Sequence, residues 1–328
     1  MSRSLDKDVA SSLGTGDSLA AFQQISSLLL SQFSDGFLEL EILGKSHPFP
    51  EGCYIVQDIR AAGVSKLGLA QAFLVARKVL NLDKSLSQEP SMEDIAKTTA
   101  VMLFMDPEHL TAANVRKRVI LEKLAKPDAD HKKILLTEKY FIDSLLTSRL
   151  HRHTKSPTLW SHLQWLLRLF PENGIHVDVL EDMNGVVMVA GERHPRNYYA
   201  WSHARFLARR YPKGCNGGVF SAVKSWCFQH HTDISGWTFL YFLAQETSPA
   251  TSSLLLTEVL ELVGSLRLAN ESMWVFLRML AASHLVDDDG YSRFVDAGRN
   301  LLRTTKSPTD QAVVKSALQW SETYRVKG

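Results

Sequence analysis

Apolar residues recur at three- and four-residue spacing through most of the chain. "LAQAFLVARKVL" (69–80), "ANVRKRVILEKL" (113–124), "LWSHLQWLLRLF" (159–170), "WTFLYFLAQ" (237–245) and "SLLLTEVLELVG" (253–264) each place their apolar positions on one helical face. Strand-like alternation is short. Its best instance, "GVVMVAG" (185–191), sits in a helical context. Pro, Gly, Asp and Ser clusters punctuate the pattern at 45–52, 87–91, 212–218, 246–252 and 286–292, which is turn chemistry between helices. The pattern predicts an all-α protein.

A second period lies over the first. Trp160, Trp201, Trp237 and Trp274 are 41, 36 and 37 residues apart, in the range of two-helix repeats. Four residues before each stands Ser156, Asn197, Asp233 or Asn270, all side chains that accept from a free N–H at a helix start. Pro157 follows Ser156 at a first helical position, where its missing N–H costs nothing. Each unit therefore reads as cap, one turn, tryptophan, then an apolar face, with the indole expected in the core. "DPEHLTAANVRKRVI" (106–120) keeps this layout with His109 at the cap and Ala113 in the Trp position, as a terminal repeat can.

Charge and composition then narrow the function. The 328 residues carry 37 Lys and Arg against 35 Asp and Glu, a net charge of +2 that argues against nucleic acid as partner. Cys53, Cys215 and Cys227 are far apart and odd in number, which fits a reducing compartment and neither a disulfide framework nor a zinc pair. No apolar run approaches the ~18 residues of a membrane span. Asp6 and Asp8 occupy the place where a signal peptide needs its apolar stretch, so the expected location is cytoplasmic without stable membrane insertion. "HRH" (151–153) and "QHHTD" (229–233) lack a third ligand at metal spacing and read as surface or capping histidines. "GCNGG" (214–218) lacks the Lys-Ser/Thr of a phosphate loop, and "DDDG" (287–290) lacks the closing Glu of a calcium loop; both read as turns. Arg193, Arg196, Arg205, Arg209, Arg210 and Lys213 make a local basic excess, either a solvated helix face or a positive rim for an anion.

"KSPTLWSHLQWLL", "RNYYAWSH", "NESMWVFLR" and "DPEHLTAANVRKR" resemble the repeats of protein prenyltransferase α subunits, and most nearly the subgroup belonging to the third protein geranylgeranyltransferase. "HPFPEGCYIVQD" and "GVSKLGLAQAFLVARKVL" upstream resemble the amino-terminal part of the same subgroup. The resemblance implies a right-handed superhelix of antiparallel helical hairpins: an amino-terminal helical region over 1–95, then repeats and carboxy-terminal helices over 96–328, in one continuous structural domain. It implies a heterodimer with a β subunit that holds the catalytic zinc, no cofactor or metal on this chain, and transfer of a prenyl group, expected to be geranylgeranyl, from its diphosphate to an acceptor cysteine of a target protein. It places a catalytic lysine at Lys155, five residues before Trp160, and a diphosphate-facing side at Arg196, Asn197, Tyr198 and Tyr199. The family tyrosine two residues after Lys155 is Pro157 here. The histidine after Tyr198 is Tyr199, and the arginine three residues beyond the tryptophan is Leu163 or Ala204, though Arg116 keeps that place beside Ala113. Two functions therefore stay open: the α chain of such an enzyme, which is inactive alone, and a helical-repeat scaffold that binds a partner without chemistry.

Overall fold

The computed structural model describes residues 17–80 and 90–326; Asp6, Asp8 and most of the 87–91 break lie outside them. The described chain is mostly helical with a little sheet. Contacts divide it into two compact units, one of residues 1–178 and 185–203, the other of 179–184 and 204–328.

In the first unit, helix α1 (Ser18–Leu29) starts at Asp17, whose Oδ1 accepts from the N–H of Leu19 and Ala20. Strands β1 (Glu39–Leu43), β2 (Ile55–Asp58) and β3 (Ala61–Ser65) form a sheet of order β1-β3-β2, with β1 parallel and β2 antiparallel to β3. This sheet lies inside the stretch expected to be helical throughout. Its strands are four or five residues long. The alternation in each is too brief to stand out from flanking turns, and only pairing makes them strands. Gly63 is where the sheet demands a missing side chain, since a Cβ there would lie 2.3 Å from Leu43 Cδ1. Helices α2 (Lys66–Leu80), α3 (Met92–Met105), α4 (Leu110–Leu124), α5 (His131–Leu146), α6 (His151–Thr154), α7 (Pro157–Leu169) and α8 (Met188–Arg193) complete the unit, joined by the first turns of α9 (Tyr198–Arg210). Residues 185–191, the best strand candidate by alternation, belong to a π-helical turn (Met183–Val187) and to α8. α1 and α2 pack on each other and on α3; α3 packs on α4, and α4 and α5 pack on α7.

A buried polar network ties α3, α4, α5 and α7 together. Arg116 Nε donates to both oxygens of Glu138, at 2.8 and 2.9 Å, and Arg116 Nη1 donates to the Ala96 carbonyl at 2.9 Å. The guanidinium also lies 4.0 Å from the centre of the Phe141 ring. His162 Nε2 stands 2.8 Å from Glu138 Oε1. Burial alone would raise the Glu138 pKa, yet the Arg116 charge and the His162 contact hold it at about 2. The arginine that keeps its repeat position is thus a core cation with every near partner inside the fold.

In the second unit, α10 (Gly217–Gln229), α11 (Ile234–Ala244), α12 (Pro249–Leu266), α13 (Glu271–Ala281), α14 (Asp288–Thr304) and α15 (Pro308–Tyr324) succeed one another. α11 packs on α10 and α13, α12 on α14, and α15 on α13 and α14. Its core is aromatic. Trp237 meets Phe276 at 5.0 Å between ring centres and Phe228 at 6.1 Å, and Trp274 meets Phe294 at 5.9 Å.

The cap-and-tryptophan frame holds in each unit. The N–H groups of Leu159, Ala200, Gly236 and Met273 donate to the side chains of Ser156, Asn197, Asp233 and Asn270. His109 caps in the same way through Nδ1, 3.2 Å from the Ala112 nitrogen. Trp160, Trp201, Trp237 and Trp274 are at most 2% exposed. Three of the indoles close a further bond to the carbonyl six residues upstream: Trp160 to Thr154, Trp237 to His231 and Trp274 to Leu268, at 2.9, 3.1 and 3.1 Å. Each of these three repeats is therefore locked at its first turn from both the cap and the ring. Trp201→Ala should cost ~3–5 kcal/mol, the usual range for a large buried aromatic, read as a lower denaturant midpoint; an unchanged midpoint would remove the tryptophan from the frame.

Three buried histidines make the first unit acid-sensitive. Burial lowers His153 to about 4 and His203 to about 3, and it lowers His162 despite the neighbouring Glu138. Each is neutral when folded and protonates more readily in the unfolded chain, so stability is full above pH ~6.5 and falls as the pH drops toward 4 and 3. Glu138 works in the same direction at lower pH, its contribution present above pH ~4.5 and lost toward 2. The denaturant midpoint should fall between pH 7 and pH 5. His203→Phe, which keeps a ring against Trp160, should flatten that fall, as urea titrations at several pH values would reveal.

Candidate functional site

The residues expected to face a diphosphate lie in the turn before α7, in the turn before α9 and at the first residues of α9, all within the first unit. α6 ends at Thr154, and Lys155 follows it at the helix end with φ −104° and ψ 7°. Its side chain is exposed, while Thr154 before it and Ser156 after it are buried. Ser156 does more than cap α7: its Oγ also donates to the Pro107 carbonyl at 3.1 Å. Lys155 is the exposed residue of a turn fixed on both sides.

The second turn is fixed by Asn197, which is fully buried. Its Oδ1 accepts from the Ala200 N–H at 3.3 Å, and its Nδ2 donates to the Thr154 carbonyl at 2.7 Å. Both ends of the amide are used inside the fold, so the structure makes Asn197 an anchor between the two turns rather than a surface contact. Arg196 beside it is exposed and has φ 61°, a left-handed conformation that typically costs a non-glycine residue about 1 kcal/mol or more. Tyr198 is 66% exposed, and half-buried Tyr199 meets it edge-on at 5.6 Å between ring centres. Of the five expected residues, Lys155, Arg196, Tyr198 and Tyr199 reach the surface and Asn197 does not.

Sequence spacing gave no sign of a histidine pair in the same place. His151, which opens α6, and His194, the residue that follows α8, bring their Nδ1 atoms to 3.3 Å, with the rings edge-to-face at 5.4 Å. Burial lowers the His194 pKa, and the Lys155 charge and His151 lower it further. Lys155 is thus an electrostatic neighbour of the histidine pair. The third member of "HRH" departs from the surface role expected of it: His153 is buried, with Nε2 at 2.9 Å from the Phe104 carbonyl. In "QHHTD", His230 stacks on Trp226 at 3.9 Å and Asp233 is the cap of α11.

The basic excess is shared out between different tasks. Arg193 donates to the Thr147 carbonyl and faces Glu39. In the second unit, Arg205 and Arg209 lie over the Phe242 ring at 6.0 and 5.5 Å, and Arg210 lies over Tyr211 at 5.7 Å. Such stacking keeps the charge in water while burying the stem. Among the described residues, no group of three or more His, Cys, Asp or Glu could hold a metal ion, and no helix is long and apolar enough to cross a membrane.

A segment of the chain is similar to a known family: residues 159–262 match the ECM9 middle domain. The matched segment is about a third of the chain and holds Trp160, Trp201 and Trp237 with the Asn197 and Asp233 caps. It begins four residues after Lys155 and ends before Trp274, and the family's description specifies no activity. No curated protein matches the chain.

The two kinds of cap separate in their cost. Asn270→Ala should lose the Met273 cap and about 1 kcal/mol. Asn197→Ala should lose its cap together with the buried bond to Thr154, roughly 2–3 kcal/mol in all. Equal losses in thermal or urea unfolding would show that the Thr154 bond contributes nothing.

Proposed function

We propose that this chain is the α subunit of a heterodimeric protein prenyltransferase, working with a β subunit that carries the zinc and the main body of the active site. The superhelical winding of hairpin repeats belongs to the same proposal. The observation that supports it best is the placement of Lys155: an exposed cation on a turn clamped by Ser156 and by the Thr154 carbonyl, and an electrostatic neighbour of the His151–His194 pair. The sequence resemblance puts the lysine of such enzymes at this position.

The chemistry explains why a clamped lysine matters. Transfer forms a bond between the cysteine sulfur and the prenyl carbon and breaks that carbon's bond to the diphosphate oxygen, which leaves with the electron pair. Negative charge on the departing group grows along the reaction, so a fixed ammonium stabilises the transition state more than the bound substrate. A flexible lysine would first have to be ordered; the two clamps fix the backbone that carries it and leave only the side chain to be ordered on binding. Arg196 and Tyr198, exposed on the neighbouring turn, add a second cation and a hydroxyl donor. Zinc on the β subunit would supply thiolate activation there.

A second function, that of a partner-binding scaffold without chemistry, is favoured by one specific observation. Arg116 and Asn197, both at repeat positions, are spent within the fold. The two are separated by Lys155→Ala in the reconstituted heterodimer, with transfer measured in single turnover. The chemical step should slow about 10²–10³-fold while dimer formation and lipid affinity hardly change. A wild-type rate would return Lys155 to an ordinary solvated turn and leave the scaffold function.

A further inference from the structure

His151 and His194 are 43 residues apart in sequence, and the cap-and-tryptophan frame does not require them to meet. At 3.3 Å one Nδ1 donates to the other, so the facing nitrogens share a single proton and a second proton between them would be repelled. The charged and titratable groups that act on His194 are Lys155 and His151; Glu192, Arg193 and Arg196 are its neighbours in sequence. His194 is half-buried and His151 exposed, so a ligand resting on Lys155 could reach the pair. We propose that His151 and His194 are ligands for the diphosphate at the Lys155 site, and that binding of this anion puts a proton on His194. The identity of the ligand rests on the prenyl-transfer function proposed above; the proton uptake does not.

The physical reasoning is one of linkage. Burial and the Lys155 charge lower the proton affinity of His194 in the empty site. A polyanion over the same atoms reverses the Lys155 effect and favours the imidazolium, which then gives the anion a second charged donor. The His194 pKa is thus higher in the occupied site than in the empty one. Affinity is greatest at low pH and weakens as the pH rises through the occupied-site value. With both histidines replaced by side chains that do not titrate, this dependence should be lost.

The test is calorimetric titration of the full chain with inorganic pyrophosphate, in two buffers of different ionisation enthalpy, at pH 6.5 and pH 8.5. The wild-type chain should take up protons on binding at pH 6.5. The double variant His151→Asn, His194→Asn should take up fewer, and it should bind roughly three- to tenfold more weakly at pH 6.5 but equally well at pH 8.5. The titration of pyrophosphate itself is common to both chains and cancels in the comparison. Circular dichroism melting of the double variant establishes that it folds; should it not, the single variant His151→Asn serves, with the same loss expected. Equal affinity and proton uptake in the two chains would overturn the proposal, as would a wild-type chain that binds no pyrophosphate. Loss of binding in Lys155→Ala alone, with the histidine variants unaffected, would overturn the histidine role and leave the prenyl-transfer function standing. Proton-coupled binding that depends on the histidines, in a chain that supports no prenyl transfer with a β subunit, would do the reverse.

Discussion

The carbonyl oxygen of Thr154 accepts two hydrogen bonds, from the Trp160 indole at 2.9 Å and from the Asn197 amide at 2.7 Å. The first bond closes a turn on itself. The second fastens that turn to the next one. A carbonyl has two lone pairs, and both are satisfied here by donors that are themselves buried. Lys155 is the next residue, so its backbone inherits a position fixed by two tryptophan units at once. Remove either donor and the lysine keeps its charge but loses the geometry that would make the charge useful.

Similar stitching recurs elsewhere. Ser156 donates to the Pro107 carbonyl in the turn before its own, and Ser272 donates to the Thr232 carbonyl in the second unit. These bonds join turns of successive repeats, where amphipathic helices alone would fix only the packed faces. The interiors differ in chemistry. The first unit carries a charged network of Arg116, Glu138 and His162, and the second relies on tryptophan against phenylalanine. Buried ion pairs add little net stability but are costly to break, so the first unit is the more sensitive of the two to a single polar substitution.

Local features were legible in the sequence because their causes are local. A cap acts on the N–H two or three residues away, and a tryptophan at a fixed offset from it reports one helical turn, so the four-residue interval carried the frame from Ser156 to Asn270. The sheet was hidden because Glu39–Leu43 becomes a strand only by pairing with Ala61–Ser65, a partner beyond any local window. The same holds for the site. Lys155 and Tyr198 could be marked by their place in a repeat. The burial of Asn197 and the approach of His151 to His194 depend on how consecutive turns meet, and no spacing along the chain encodes that distance. Arg116 shows how little a repeat position says of a side chain's task, since its partners, Glu138 and the Ala96 carbonyl, are internal.

The ring of His203 lies 5.1 Å from that of Trp160, with both side chains sealed from solvent. An imidazolium withdraws excitation from a neighbouring indole, whereas a neutral imidazole does so weakly. Trp237 and Trp274 have phenylalanines in the corresponding contacts, which do not titrate. Of these three indoles, Trp160 is thus the one whose emission answers to protonation inside the first unit: it dims as His203 takes its proton toward pH 3, while the ring neighbours of Trp237 and Trp274 stay uncharged.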